Sequence, residues 1–112
     1  MKTINAKSAD CFKNPHDVKA ARLHDSERAQ AIHITLEPGE LLKKHITPVD
    51  VFFYVLEGTG VVEIGEEKKE VEPDKLINSP ARIPHCWYNH SEQVLRVLVV
   101  KVPRPTEATK LL

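Results

Sequence analysis

The chain has 112 residues, sixteen acidic and sixteen basic side chains, and a formal net charge of zero. A length of this order suits one domain, which buries roughly two-thirds of its unfolded surface and needs no disulfide or metal to fold. The balanced charge excludes the basic footprint of a nucleic-acid binder or of a protein drawn to anionic membranes, and leaves little repulsion between copies.

Residues 1–17 read as an arm, without the apolar core of a signal peptide. No apolar run approaches the eighteen or so residues of a membrane span. Cys11 and Cys86 are not paired by their spacing. Together these features predict a soluble, cytoplasmic protein with free thiols.

Eight prolines and four glycines cut the chain into short pieces, and no 3.6-residue apolar period persists. Short β-branched or alternating runs recur between turn residues, the pattern of an all-β barrel or sandwich. The first predicted strands cover 18–24 (VKAARLH) and 29–37 (AQAIHITLE), joined by the polar DSER. After the turn PGE comes 41–47, then Pro48, then 50–57 (DVFFYVLE). GTG leads into 61–65, and the charged EEKKEVE reads as a solvated hairpin tip with a strand at 69–72. KLIN follows the Pro73-Asp74 turn, and Pro80 and Pro84 bracket a constrained loop that limits where His85 can point. The last strong strand is 93–102 (QVLRVLVVKV), and 103–112 is a tail. The expectation is nine or ten short strands and at most a turn of helix.

Six histidines are the chemistry-bearing candidates. His16, His24 and His90 read as surface or structural residues. His33 shares a strand face with Thr35, opposite Ile32, Ile34 and Leu36, and either face could be the inner one. His45 and His85 each follow a turn and adjoin a β-rich stretch, positions that a barrel can bring together at its mouth. Alternation groups His45, Thr47, Val51, Phe53 and Val55, provided Pro48 keeps the register, and separately groups His85, Trp87 and Asn89. The combined pocket holds two imidazoles, an indole and a carboxamide over an apolar floor. Trp87 is either core packing or a stacking surface, and Asn89 ties strands together. Cys86 faces away from His85 and reads as a buried, inert thiol.

These two segments resemble the two motifs of the cupins. The first motif is Gly, five residues, His-x-His, three or four residues, Glu, six residues, Gly. Gly39, ELLKK, His45 and Ile46 match it, but Thr47 stands for the second histidine and Val51 for the glutamate. The second is Gly, five residues, Pro-x-Gly, two residues, His, three residues, Asn. Pro80, His85 and Asn89 match, while Asp74 and Arg82 stand for its glycines. The resemblance implies a double-stranded β-helix (jelly-roll barrel) over 18–102 within a single domain of 1–112, commonly a homodimer.

Cupin enzymes usually hold Fe, Mn, Ni, Zn or Cu with two histidines and a glutamate of the first motif and the histidine of the second. Of these positions only His45 and His85 remain. Asp50 becomes a third ligand only if a bulge after Pro48 turns it inward. The expected function is small-molecule binding in a mostly apolar barrel pocket with an incomplete ligand set for a divalent transition metal (Fe, Mn, Ni or Zn). The alternative is a cupin-type enzyme using His45 and His85: a metal-dependent dioxygenase, decarboxylase or isomerase, or a metal-free epimerase-like catalyst. Phe52, Tyr54 and Leu56, on the outer face, offer a surface for a homodimer.

Overall fold

A computed structural model describes all residues, 1–112, and contains ten strands and no helix. In chain order they are β1 (Lys19–Asp25), β2 (Gln30–Leu36), β3 (Leu41–Ile46), β4 (Asp50–Glu57), β5 (Gly60–Ile64), β6 (Glu67–Val71), β7 (Leu76–Ser79), β8 (His85–Tyr88), β9 (Leu95–Val102) and β10 (Lys110–Leu111). They form two five-stranded antiparallel sheets, ordered β1-β2-β9-β4-β7 and β10-β3-β8-β5-β6. This is the double-stranded β-helix expected from the motif segments. The tail is the difference: it ends in a two-residue strand paired to β3, with Leu111 opposite His45.

The period-2 pattern decides which residues face inward. Val51, Phe53 and Val55 of β4, and Leu95, Val97 and Val99 of β9, are buried while their neighbours are more exposed. In β2 the inner set is Ile32, Ile34 and Leu36, which join them in one core cluster. Phe53 and Trp87 meet edge to face with centroids 5.4 Å apart, and each is only 1% exposed. Burial of such a side chain is worth about 1.5–3 kcal/mol, so this layer anchors one sheet to the other.

Several turns show why the sequence ends its strands where it does. Gly58 has φ +81°, and a Cβ there would run into the Val94 carbonyl oxygen, so only glycine lets the turn after β4 lie against the entry to β9. Asp74 and Arg82 take φ of 72° and 66°. They occupy the left-handed conformations that the two glycines of the second motif would adopt without strain. β6 is an edge strand whose Glu67, Lys68, Lys69 and Glu70 are all exposed, and these charges discourage edge-to-edge pairing.

Candidate functional site

A cavity of about 180 Å³ opens between the sheets. Ile32, Val99, Val51 and Phe53 form its apolar wall on the first sheet, and His45 and His85 face them from the second. Pro48 leaves the alternation intact, so His45, Thr47, Val51 and Phe53 all line the cavity, as their spacing predicts.

β3 and β8 are neighbours, and their register sets His45 directly opposite His85. Their Nε2 atoms are 2.9 Å apart and their rings meet edge to face at 4.3 Å. The Nδ1 of His45 faces the Lys43 carbonyl oxygen, which can only accept, so this nitrogen carries the proton and Nε2 of His45 carries a lone pair. His85 then donates from Nε2 to His45 and accepts at Nδ1 from the Ser79 hydroxyl, 2.7 Å away. The Thr47 hydroxyl, 3.2 Å from Nε2 of His85, completes the cluster. Both rings are therefore satisfied in the neutral form.

Electrostatics point the same way. Burial, with repulsion from His45, Lys101 and His16, pushes the pKa of His85 down to about 3. Burial also lowers that of His45, although its bond to the Lys43 backbone opposes the shift.

The sequence pattern did not find His16. The arm lays its ring against His45, centroids 4.7 Å apart, and it lines the same cavity. Its Nδ1 accepts from the Lys43 amide at 2.9 Å, which leaves the proton on Nε2. Burial and the charges of His45, Lys43 and Lys101 bring its pKa down to about 4. No local signal marks His16, because its role depends on where a non-strand arm lands.

Other candidates lie elsewhere. Asp50 is exposed and accepts from the Ala81 amide at 2.8 Å; no bulge turns it inward, and it does not line the cavity. Trp87 belongs to the core beneath the cavity, and its buried indole N–H has no partner. Asn89 is also outside the cavity: its amide donates to the Leu36 and Gln93 carbonyls, tying loops together. His33 is buried but lies outside the cavity and the core cluster, accepting from Nε of Arg96 at 3.0 Å. The membership of Ile32, Ile34 and Leu36 in that cluster makes theirs the inner face of β2. Cys86 is buried on the side away from the cavity, against the Tyr88 hydroxyl at 3.2 Å, and burial pushes its thiol pKa up, as suits an inert thiol.

Two antiparallel five-stranded sheets around a cavity lined by apolar residues and a few convergent polar groups define a double-stranded β-helix barrel. Comparison with known proteins agrees. The family model described as "Cupin domain" matches residues 32–101, and the chain belongs to that family. It is 33% identical to TT1209 of Thermus thermophilus, with 94% of this chain and 100% of that one covered and a TM-score of 0.82. The polyketide cyclase RemF of Streptomyces resistomycificus shares the fold at 20% identity, with 100% of this chain and 85% of that one covered and a TM-score of 0.85. The uncharacterized protein MJ1618 of Methanocaldococcus jannaschii is 35% identical over 63 residues, which is 56% of this chain and 50% of that protein. The match thus spans about half the length of that relative.

The cupin metal site can be tested against the residues present. Two imidazole nitrogens converge, but Thr47 offers a neutral hydroxyl and Val51 no donor, while the His16 ring packs edge-on against His45 with its Nδ1 taken up by the Lys43 amide. No group of three or more His, Cys, Asp or Glu side chains is arranged to hold an ion. The donor set does not fit a metal site, where three protein ligands are the usual minimum for a catalytic zinc.

Proposed function

We propose that this cupin binds a small molecule in the barrel cavity and does so without a resident metal. The observation that carries this reading is the cavity itself: an apolar wall of Ile32, Val51, Phe53 and Val99 faces two mutually satisfied neutral imidazoles, with the Thr47 hydroxyl beside them. Apolar walls supply affinity and a few fixed polar groups supply orientation. A fragment screen by ¹H–¹⁵N NMR tests it. Hits should shift the amides of β3, β4 and β8 in the native protein and lose affinity in Phe53→Trp, which fills the cavity. Near-stoichiometric transition metal in tag-free protein, lost from the His45→Ala/His85→Ala double variant, would overturn the metal-free part.

The tautomers favour one second reading, acid–base catalysis on the bound molecule. The Lys43 carbonyl fixes the His45 ring, and His45 and His85 hold one exchangeable proton between their Nε2 atoms. A small carbonyl compound that binds should then exchange the hydrogens on its adjacent carbon with D₂O, and His45→Gln should abolish the exchange. Exchange at the uncatalysed rate by the native protein would discard this reading.

A further inference from the structure

The cavity wall carries two cations and no anion. Arg22 of β1 and Lys101 of β9 line it, and none of its nineteen lining residues is Asp or Glu. Neither cation has a carboxylate partner: the ion pairs of the molecule join Lys7, Lys44, Arg82, Arg96 and Arg104 to acids elsewhere. Position explains why they project inward. Lys101 lies between Gln30 and Val51 in register, and both of these face the cavity. Arg22 lies opposite Ile32, on the same inner face. Its guanidinium stands 4.3 Å over the Phe12 ring, which holds the group in place without neutralising it.

An uncompensated, half-buried ammonium next to a guanidinium is unfavourable in the free protein. Burial, and then Arg22, lowers the pKa of Lys101, and no acidic group opposes this. The neighbouring imidazoles shed charge for related reasons. The pattern is that of a site short of one negative charge.

From this arrangement we infer that the ligand is a small amphipathic carboxylate. Its head group sits between Arg22 and Lys101, and its short apolar body lies along Ile32, Val99 and Phe53 toward His45 and His85. The inference rests on the cavity being a ligand site. A carboxylate is favoured over a phosphate monoester because one charge is less costly to take from water than two, and the wall is otherwise apolar.

Benzoate and butyrate are the probes, with benzamide and butyl phosphate as matched controls at constant chloride. Titrations followed by NMR and thermal shift should show benzoate or butyrate binding at least about tenfold more tightly than benzamide and than butyl phosphate. Lys101→Met, which keeps the stem without the charge, should remove that preference and should itself fold, since an unpaired, half-buried charge is lost. Arg22→Gln, at an exposed position, gives the same readout if Lys101→Met does not fold. Equal binding of benzoate and benzamide at the cavity would overturn the anion inference while leaving the ligand site standing. Tighter binding of butyl phosphate would overturn the choice of carboxylate. Absence of cavity shifts with all four compounds, together with failure of the fragment screen, would remove the ligand reading itself.

Discussion

Lowering the pH from 8 to 5 should cost the protein about 2 kcal/mol through His85 alone. Its pKa falls from 6.5 in the unfolded chain to about 3 in the fold. At pH 5 the unfolded chain therefore carries this proton about thirty times out of thirty-one, while the native ring remains neutral, and RT ln(1 + 10^1.5) is about 2 kcal/mol. The contribution is fully present above the unfolded value and is lost as pH falls toward the folded one. The window runs from 6.5 down to about 3. Geometry adds a reason that burial alone does not: with Nε2 atoms 2.9 Å apart, His45 and His85 cannot both point a proton at each other.

Domains of this size hold roughly 5–15 kcal/mol in all, so the loss is a sizeable share. Urea unfolding at the two pH values reads it out. With an m-value of about 1–3 kcal/mol per molar, the midpoint should move by about 0.7–2 M through this residue. His85→Gln will be less stable at pH 8, but its midpoint should depend less on pH by about that amount. Equal pH dependence in the two proteins would refute the claim that the fold holds His85 neutral.

Replacing Arg82 by Gly should stabilise the fold by about 0.5–1 kcal/mol, seen as a rise of a few degrees in Tm, because φ of 66° strains a side-chain-bearing residue. The Glu107 ion pair that it gives up is exposed and weak, so a lower Tm would count against the strain argument. Val51→Glu should raise Zn²⁺ affinity at least about tenfold by calorimetry, since the new carboxylate would enter the cavity beside Lys101 and close to His85. Affinity unchanged from the native protein would show that more than the missing carboxylate separates this cavity from a metal site. Sedimentation at tens of micromolar should find a dimer, on the expectation that Phe52, Tyr54 and Leu56 of the outer sheet face, which the half-exposed Leu98 and Val100 of β9 adjoin, pair with a second copy. A monomer that persists at these concentrations would remove that expectation.

Much of this was legible along the chain. Counting in steps of two from His45 through Thr47 put Val51, Phe53 and Val55 on one face of β4, and that face is buried. The nearly continuous apolar run of 93–102, by contrast, left the inner face of β9 to the structure. The same counting placed Val51 inside and Asp50 outside, provided that Pro48 caused no slip, and the structure shows none. Motif spacing set His45 against His85 across forty residues, and cross-strand register puts them in contact. It misjudged Trp87 and Asn89, which share a strand face with His85 yet lie deeper than the cavity reaches, because alternation fixes the face but not the depth.

What only the tertiary structure decided involves residues that no periodicity governs. His16 reaches the cavity from an arm held by its bond to the Lys43 amide, and Leu111 reaches it from a two-residue strand at the tail. The unpaired state of Arg22 and Lys101 is likewise a tertiary fact. A sequence with equal numbers of acids and bases gives no warning that all the acids lie outside one cavity, because net charge is a sum over the whole surface and a binding site responds to the local field.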